Sequence, residues 1–445
     1  MIRAVVRYVD ERSGSAPLLK KALRYIFPDH WSFLLGEIAL YSFLVLVGTG
    51  IYLTFFFKPS LAPTVYNGEY NPLRGLTVSE AYASAVDMSF KVKAGLLMRQ
   101  THHWAADVFV VAIVLHVLRV FFTGAFRKPR DLVYYVGVLM LMLALLEGFL
   151  GYSIVDDLLS GMGLAIAYSV VLSLPFIGGN LALALWGAPF PGAHTFESRM
   201  YIAHVLIFPI LIGVLIMVHL LLIVGRHHTQ FRGPQRTERS VVGLPAYPGY
   251  APRSIALALA VAAVLFLLGG LIQINPIWQW GPYEVAQGTN GAQPDWYLGW
   301  LIGGLRLMPG FDVTIGNYTL IPNPFWGGAL FPMLVFAFLF AWPSLERRLT
   351  GDYRFHNLLD RPRDVPWRTA TGAAFFTWVA VVFVAGASDR VFVWLGIPYT
   401  SQIWFFRGAV FIAPVVVFLL TKRICVELRH AERVEERRHA AELGA

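Results

Sequence analysis

Apolar residues gather in eight long stretches, approximately 33–57, 104–124, 132–153, 201–225, 254–274, 325–343, 370–389 and 402–422. Each approaches the length an α-helix needs to cross a hydrocarbon core of roughly 30 Å. Inside lipid the backbone has no water to bond, so such stretches become helices. The pattern predicts an all-α polytopic membrane protein with eight transmembrane helices, divided four and four. A four-helix bundle spans 33–225, a linker rich in Arg, Gly and Pro spans 226–253, and the C-terminal four helices occupy 254–425. Residues 1–32 form a basic arm, and 426–445 read as a charged, solvated helical tail. Two connections, 154–200 and 275–324, are too long and aromatic for simple links, and the first contains an amphipathic-looking DDLLSGMGLAIAY.

Composition agrees: 57% of residues are hydrophobic, 14% are charged and the mean hydropathy is +0.59, beyond a soluble domain's usual mix. The net charge of +9 lies in alternate connections. Arg127, Lys128 and Arg130 follow the second stretch. Arg226, Arg232, Arg236, Arg239 and Arg253 follow the fourth, whereas 275–324 contains only Arg306. By the positive-inside rule both termini face the cytoplasm. The excess charge is a topology signal and a contact for anionic membrane lipid, so no nucleic acid is expected. The lone cysteine, Cys425, excludes an internal disulfide and a Cys-clustered metal or iron–sulfur site. The first thirty residues lack a short apolar core with a cleavage site and read as a retained arm.

Four histidines carry the chemistry. His102 and His116 are 14 residues apart and His204 and His219 are 15 apart, about 21–22 Å along a helix. Two such helices side by side place one facing pair near each membrane surface, the geometry for two haems with a histidine on either side of each iron. His102 pairs with His204 near the outer surface and His116 with His219 near the inner one. His103 competes with His102 as ligand, but the 14-residue interval favours His102. The extra residue between His204 and His219 is expected to be absorbed by a kink at Pro209.

Glycines repeat the same spacing. Gly36 and Gly50 in the first stretch, and Gly137 and Gly151 in the third, are each 14 apart. A flat macrocycle between helices needs close backbone approach, and these positions match the two histidine depths. Arg99, Arg119 and Arg199 flank the pairs, where a guanidinium can bond an anionic haem propionate. Ordinary small-residue packing and membrane-edge arginines give a plainer account of any one of these positions.

Together the residues resemble the cytochrome b subunit of the quinol–cytochrome c oxidoreductases. The carriers are RQTHHWAADVFVVAIVLHVLR, SRMYIAHVLIFPILIGVLIMVH, the paired glycines, and Pro294-Asp295-Trp296-Tyr297. DDLLSGMGL, QINPIWQWGPY and PDWY are most similar to the actinobacterial, menaquinol-oxidising branch. The resemblance implies two non-covalent haem b groups held by bis-His ligation. His102 and His204 would hold the outer iron, His116 and His219 the inner. It implies quinol oxidation, with menaquinol as substrate, in an outer pocket built by 154–200 and 275–324. One electron would leave to a Rieske iron–sulfur subunit. The other would cross the membrane and reduce quinone at an inner site, contributing to the proton gradient. Asp295 would accept the quinol proton, Tyr297 would hydrogen-bond it or the substrate, and Pro294 and Trp296 complete the motif. Further implied partners are a cytochrome c subunit, mono- or dihaem, a second copy of the chain, and a supercomplex with a terminal oxidase. The location would be a bacterial plasma membrane.

The sequence departs from the family where Gly151-Tyr152 leads to Ile154-Val155-Asp156 rather than to Pro-Trp. Leu34 stands near the position of the chloroplast-type cysteine, so no covalent third haem is expected. Arg226, His227 and His228 lie on the inner side without singling out a quinone ligand. Two rivals explain less. A dihaem membrane anchor of a dehydrogenase or hydrogenase leaves the second four spans without a task. A transporter gives no reason for glycines at matching depths.

Overall fold

A computed structural model describes residues 8, 10–14, 16–287 and 294–443. Eight helices among them are long and apolar enough to cross a membrane: Trp31–Thr54, Gly95–Thr123, Asp131–Ser153, Phe196–Arg226, Ala246–Leu271, Phe325–Thr350, Pro366–Trp394 and Tyr399–His439. They are called the first to eighth spans below. The first packs along the second, the third along the fourth, and the fifth against the first two, while the seventh and eighth run together.

The largest difference from expectation is at the start of the second span, which begins nine residues earlier, at Gly95. Arg99, Gln100, His102 and His103 lower the hydropathy of this stretch. In the fold its polar groups find partners: Arg99 Nε donates to Ser89 Oγ at 3.1 Å and Nη1 to the Asn275 carbonyl at 3.1 Å. The segment from Leu158 to Leu172 is helical, capped by Asp157, whose carboxylate accepts from Ser160 N–H at 3.0 Å. It carries no charged residue and is apolar on all sides rather than amphipathic.

The fourth span widens instead of kinking at Pro209. Residues Ala203–Ile207 form a π-turn, in which Phe208 N–H bonds the Ala203 carbonyl five residues back. Such one-turn bulges insert a residue without ending the helix. Pro209 follows at the head of Phe208–Arg226, where its missing N–H costs little. The extra residue between His204 and His219 is thus taken up beside His204 itself.

The face from which the first span enters and to which the eighth returns, the terminus face, is knitted by polar contacts. Ile26–Phe27 pairs antiparallel with Leu244–Pro245, and Gln230–Phe231 pairs in parallel with Leu358–Leu359. Arg130 donates to the carbonyls of Arg226, His227 and His356. Arg368, only 3% exposed, bonds Glu346 at 2.5 Å and Asp360 at 2.9 Å, and Arg127 reaches Asp360 at 3.0 Å. Removing one partner from such a buried set costs about 3–5 kcal/mol. The eighth span continues unbroken into Tyr399–Leu443. Its charged end is tied down, because Arg361 and Arg363 hold Glu432 at 2.8 and 3.1 Å.

The opposite face is built from apolar connections: Leu158–Leu172, Gly178–Trp186, and Gly299–Leu307. The last helix lies flush on the seventh span, since a Cβ at Gly303 would fall 1.8 Å from the Val382 carbonyl. Midway between the two faces, Ala39, Phe109, Ala112, Leu143, Ala144 and Ile212 form an apolar plug.

Candidate functional site

Two histidine pairs flank this plug, one toward each face. At the loop face His102 from the second span meets His204 from the fourth, with ring centres 6.2 Å apart and planes at 87°. With roughly 2 Å per imidazole–metal bond and about 1 Å more to each ring centre, two imidazoles holding one metal between them would stand about 6 Å apart. Thr49 Oγ1 donates to the Val45 carbonyl at 2.7 Å, so its oxygen is free to accept His102 Nδ1–H at 3.0 Å. That arrangement puts the ligating lone pair on Nε2. His116 and His219 flank the plug toward the other face. Nδ1 of His116, His204 and His219 is buried without a hydrogen-bond partner among the described residues.

Each histidine has its own glycine. A Cβ would fall 3.4 Å from the His116 ring at Gly36, 3.2 Å from His102 at Gly50, 3.6 Å from His219 at Gly137 and 2.7 Å from His204 at Gly151. The first and third spans therefore press bare backbone against the ligand helices at both depths. His103, next to His102, points elsewhere and bonds Asp295.

These pairs fit haem on the donor set itself. Among the described residues no group of three or more His, Cys, Asp or Glu could hold a bare metal ion. Two imidazoles suit an iron whose other four positions are filled by a macrocycle. Arg119 fits as a propionate partner: Nε and Nη2 are buried without hydrogen bonds among the described residues, and the guanidinium lies 4.3 Å over the Phe33 ring. Arg99 keeps Nη2 unbonded in the same way. Arg199 does not match them, because it is turned to the carbonyls of Thr195 and Ala184, both at 3.4 Å.

Beside the loop-face pair lies a cavity of about 700 Å³. Phe149 and Tyr152 of the third span, Met162 and Ile166 of the apolar helix, and Pro294 and Leu298 are among its lining residues. Arg306, bonded to Asp389 at 2.6 Å, and Arg390 add charge to an otherwise apolar wall. Pro294 lines the cavity, but Asp295 and Tyr297 lie behind that wall. His103 Nε2 bonds Asp295 Oδ1 at 2.7 Å, and Tyr297 O–H donates to Oδ2 at 2.9 Å. Tyr297 is 2% exposed and fits because Gly148 faces it, a Cβ there falling 2.7 Å from the phenol oxygen. Burial pushes the Asp295 carboxyl upward, but His103 and the hydrogen bonds from His103 and Tyr297 outweigh it and hold the group below the usual carboxylate range. Trp296 packs edge-on against Tyr297 and Phe383.

Several participants carry no spacing signal in the sequence. Glu147 approaches His204, with Oε1 2.9 Å from Nδ1. Among the described residues His204 Nδ1 and Glu147 Oε2 are buried without an aligned hydrogen-bond partner. Near the first-span glycine at the other end, Glu37 accepts from Ser254 at 2.6 Å, from Tyr41 at 3.3 Å and from Tyr250. The aromatics Tyr25, Phe27 and Phe33 surround His228. Burial first, then the charges of Arg130 and Arg119, push its pKa down to about 4. A polar residue in an apolar span was the only available sign for Glu147 and Glu37.

The family model described as Cytochrome b(N-terminal)/b6/petB matches residues 107–282. The cytochrome bc1 complex cytochrome b subunit of Mycobacterium tuberculosis (strain H37Rv) is 47% identical over 426 residues, covering 96% of this chain and 77% of that one. Its counterpart in Streptomyces coelicolor is 45% identical, covering 96% and 78%, and that of Corynebacterium efficiens 43%, covering 98% and 80%. A solved chain of a hyperthermophilic respiratory Complex III superposes with a TM-score of 0.68 at 20% identity, covering 94% of this chain and 99% of that chain. Similarity of this extent, over spans that bring the histidines and glycines together, means that the chain belongs to the cytochrome b subunits of cytochrome bc1 complexes, the membrane part of a quinol–cytochrome c oxidoreductase.

Proposed function

We propose that this chain holds two bis-His haem b groups and oxidises menaquinol at the loop face, in the manner of the Q cycle. The four glycines carry the reading: each faces one of the four histidines, at both depths. His102 and His204 would hold one iron, and His116 and His219 the other. When bound, the two haems supply the path by which one of the two quinol electrons crosses the membrane. The other electron leaves to a Rieske iron–sulfur partner, and a cytochrome c subunit takes it onward. The loop face is then the outer face and the face with both termini is cytoplasmic, in keeping with its arginines.

The residues of the chain divide the remaining work. The largely apolar cavity takes the quinol ring and excludes water from it, and its volume of about 700 Å³ lies within the range of cofactor-sized sites. Asp295 is held ionised behind the Pro294–Leu298 wall and accepts the proton that quinol releases. To do so it exchanges one of its two present hydrogen bonds for one from the quinol hydroxyl. Arg119 and Nη2 of Arg99, unbonded among the described residues, would neutralise the propionates of the two groups when bound. Quinone reduction belongs to the cytoplasmic end. A homodimer, and a supercomplex with a terminal oxidase, are the assemblies in which we expect the chain to work.

A redox-titrated absorption spectrum with a pyridine–haem assay, made on the complete membrane complex, tests the reading. Two b haems per chain with separate midpoints are expected. One haem would show a misassigned pair, and none in folded protein would overturn the proposal.

A further inference from the structure

We propose that His103, the neighbour of a haem ligand, is a positioning residue for Asp295, fixing this carboxylate as the proton acceptor of the quinol site. The inference rests on the reading of Asp295 as that acceptor. Two adjacent histidines on one helix are about 100° apart around its axis, so they face different neighbours. His102 faces Gly50 and His204. His103 faces the loop-face segment and bonds Asp295 Oδ1 at 2.7 Å, with side chains 11% and 14% exposed.

A carboxylate buried beside an apolar cavity favours its neutral form, which cannot take a proton. Here both oxygens are occupied by donors, His103 on Oδ1 and Tyr297 on Oδ2. The other titratable groups facing Asp295 are Asp107, one turn beyond His103 on the second span, and Tyr152 at the end of the third. Among the described residues Asp107 gives Asp295 no hydrogen bond, and its own Oδ1 is buried without a partner. His103 is thus the one basic side chain among these groups. In the proton transfer the quinol O–H bond breaks, a carboxyl O–H bond forms on Asp295, and the electrons leave by the route proposed above, one to the Rieske partner and one toward the haems.

The test uses the complete membrane complex carrying His103→Leu or His103→Gln, with quinol oxidation followed from acid to alkaline pH and haem counted by the pyridine assay. Both haems are expected to remain. The acid limb of the rate profile should move upward by about one pH unit in H103L, about tenfold in rate on that limb, with H103Q, which retains a donor, between it and the parent. Should Leu prevent assembly, H103Q alone decides by a smaller shift in the same direction. A profile that superimposes on the parent overturns the proposal, and so does loss of one haem, which would make His103 a ligand. Asp295→Asn separates the two inferences: a parental rate in that variant defeats the Asp295 reading itself, whatever H103L shows.

Discussion

The two histidine pairs are built alike and surrounded differently. Both have two helices supplying ligands and two supplying glycines. At the loop-face end three acids stand with one buried arginine, Arg99: Glu147 lies 2.9 Å from His204, and Asp295 and Asp107 lie beside His103. At the other end Arg119 is buried with two unbonded nitrogens, and the acid there, Glu37, is enclosed by three hydroxyl donors. Negative charge favours an oxidised iron and positive charge a reduced one, and both act strongly where water is excluded. With haems bound as proposed, this asymmetry would make the loop-face site the weaker electron acceptor and the terminus-face site the stronger. An electron entering beside the cavity would then be drawn across the apolar plug.

The largest break in this comparison is steric. Gly151→Ala places a methyl 2.7 Å from the His204 ring, whereas Gly137→Ala places one at 3.6 Å from His219. Overpacking at the first site should remove about half of the haem in a pyridine assay, with Gly137→Ala near parental. Retention of full haem by both would show that the two ends are equally loose. Next comes proton acceptance. Asp295→Asn should lower quinol oxidation by roughly 10²–10⁴-fold with both haems intact. Because the carboxyl is held below its ordinary range, the parental rate should fall only as pH drops through that lowered value. An acid limb well above the ordinary carboxylate range would contradict this.

The charge asymmetry gives a smaller, signed pair of effects. Glu147→Gln should raise the midpoint of the loop-face haem and Arg119→Gln should lower that of the other. Each shift should be about 60 mV, a tenfold change in a one-electron equilibrium. Potentiometric titration reads both, and shifts of the opposite sign would remove the electrostatic account. The smallest effect concerns Arg199, which is turned to backbone carbonyls. Arg199→Gln should leave both midpoints within error of the parent, and a shift comparable to that of Arg119→Gln would return it to a propionate.

Hydropathy alone marked eight spans, since a long apolar run has no other stable form in lipid. It misplaced the head of the second span because Arg99, Gln100 and the two histidines look soluble until Ser89, Asn275 and Asp295 are seen to meet them. The histidine and glycine intervals were legible because a helix converts residue number directly into depth. Their facing was not, since rotation about the helix axis is settled by neighbours. The 14-residue interval favoured His102 over His103, and Gly50 beside the one and Asp295 beside the other support that preference.

What the sequence determined by itself was therefore one-dimensional: helices, their depths, and residues able to ligate or pair. The tertiary structure decided everything that depends on rotation and on segments distant along the chain. It turned Arg199 away from its pair, widened the fourth span at Ala203–Ile207 rather than kinking it at Pro209, and set Asp295 behind the cavity wall instead of in it. The physical reason is common to all three. Helix formation is local, whereas a buried polar group points to whichever partner the packing brings within hydrogen-bond reach.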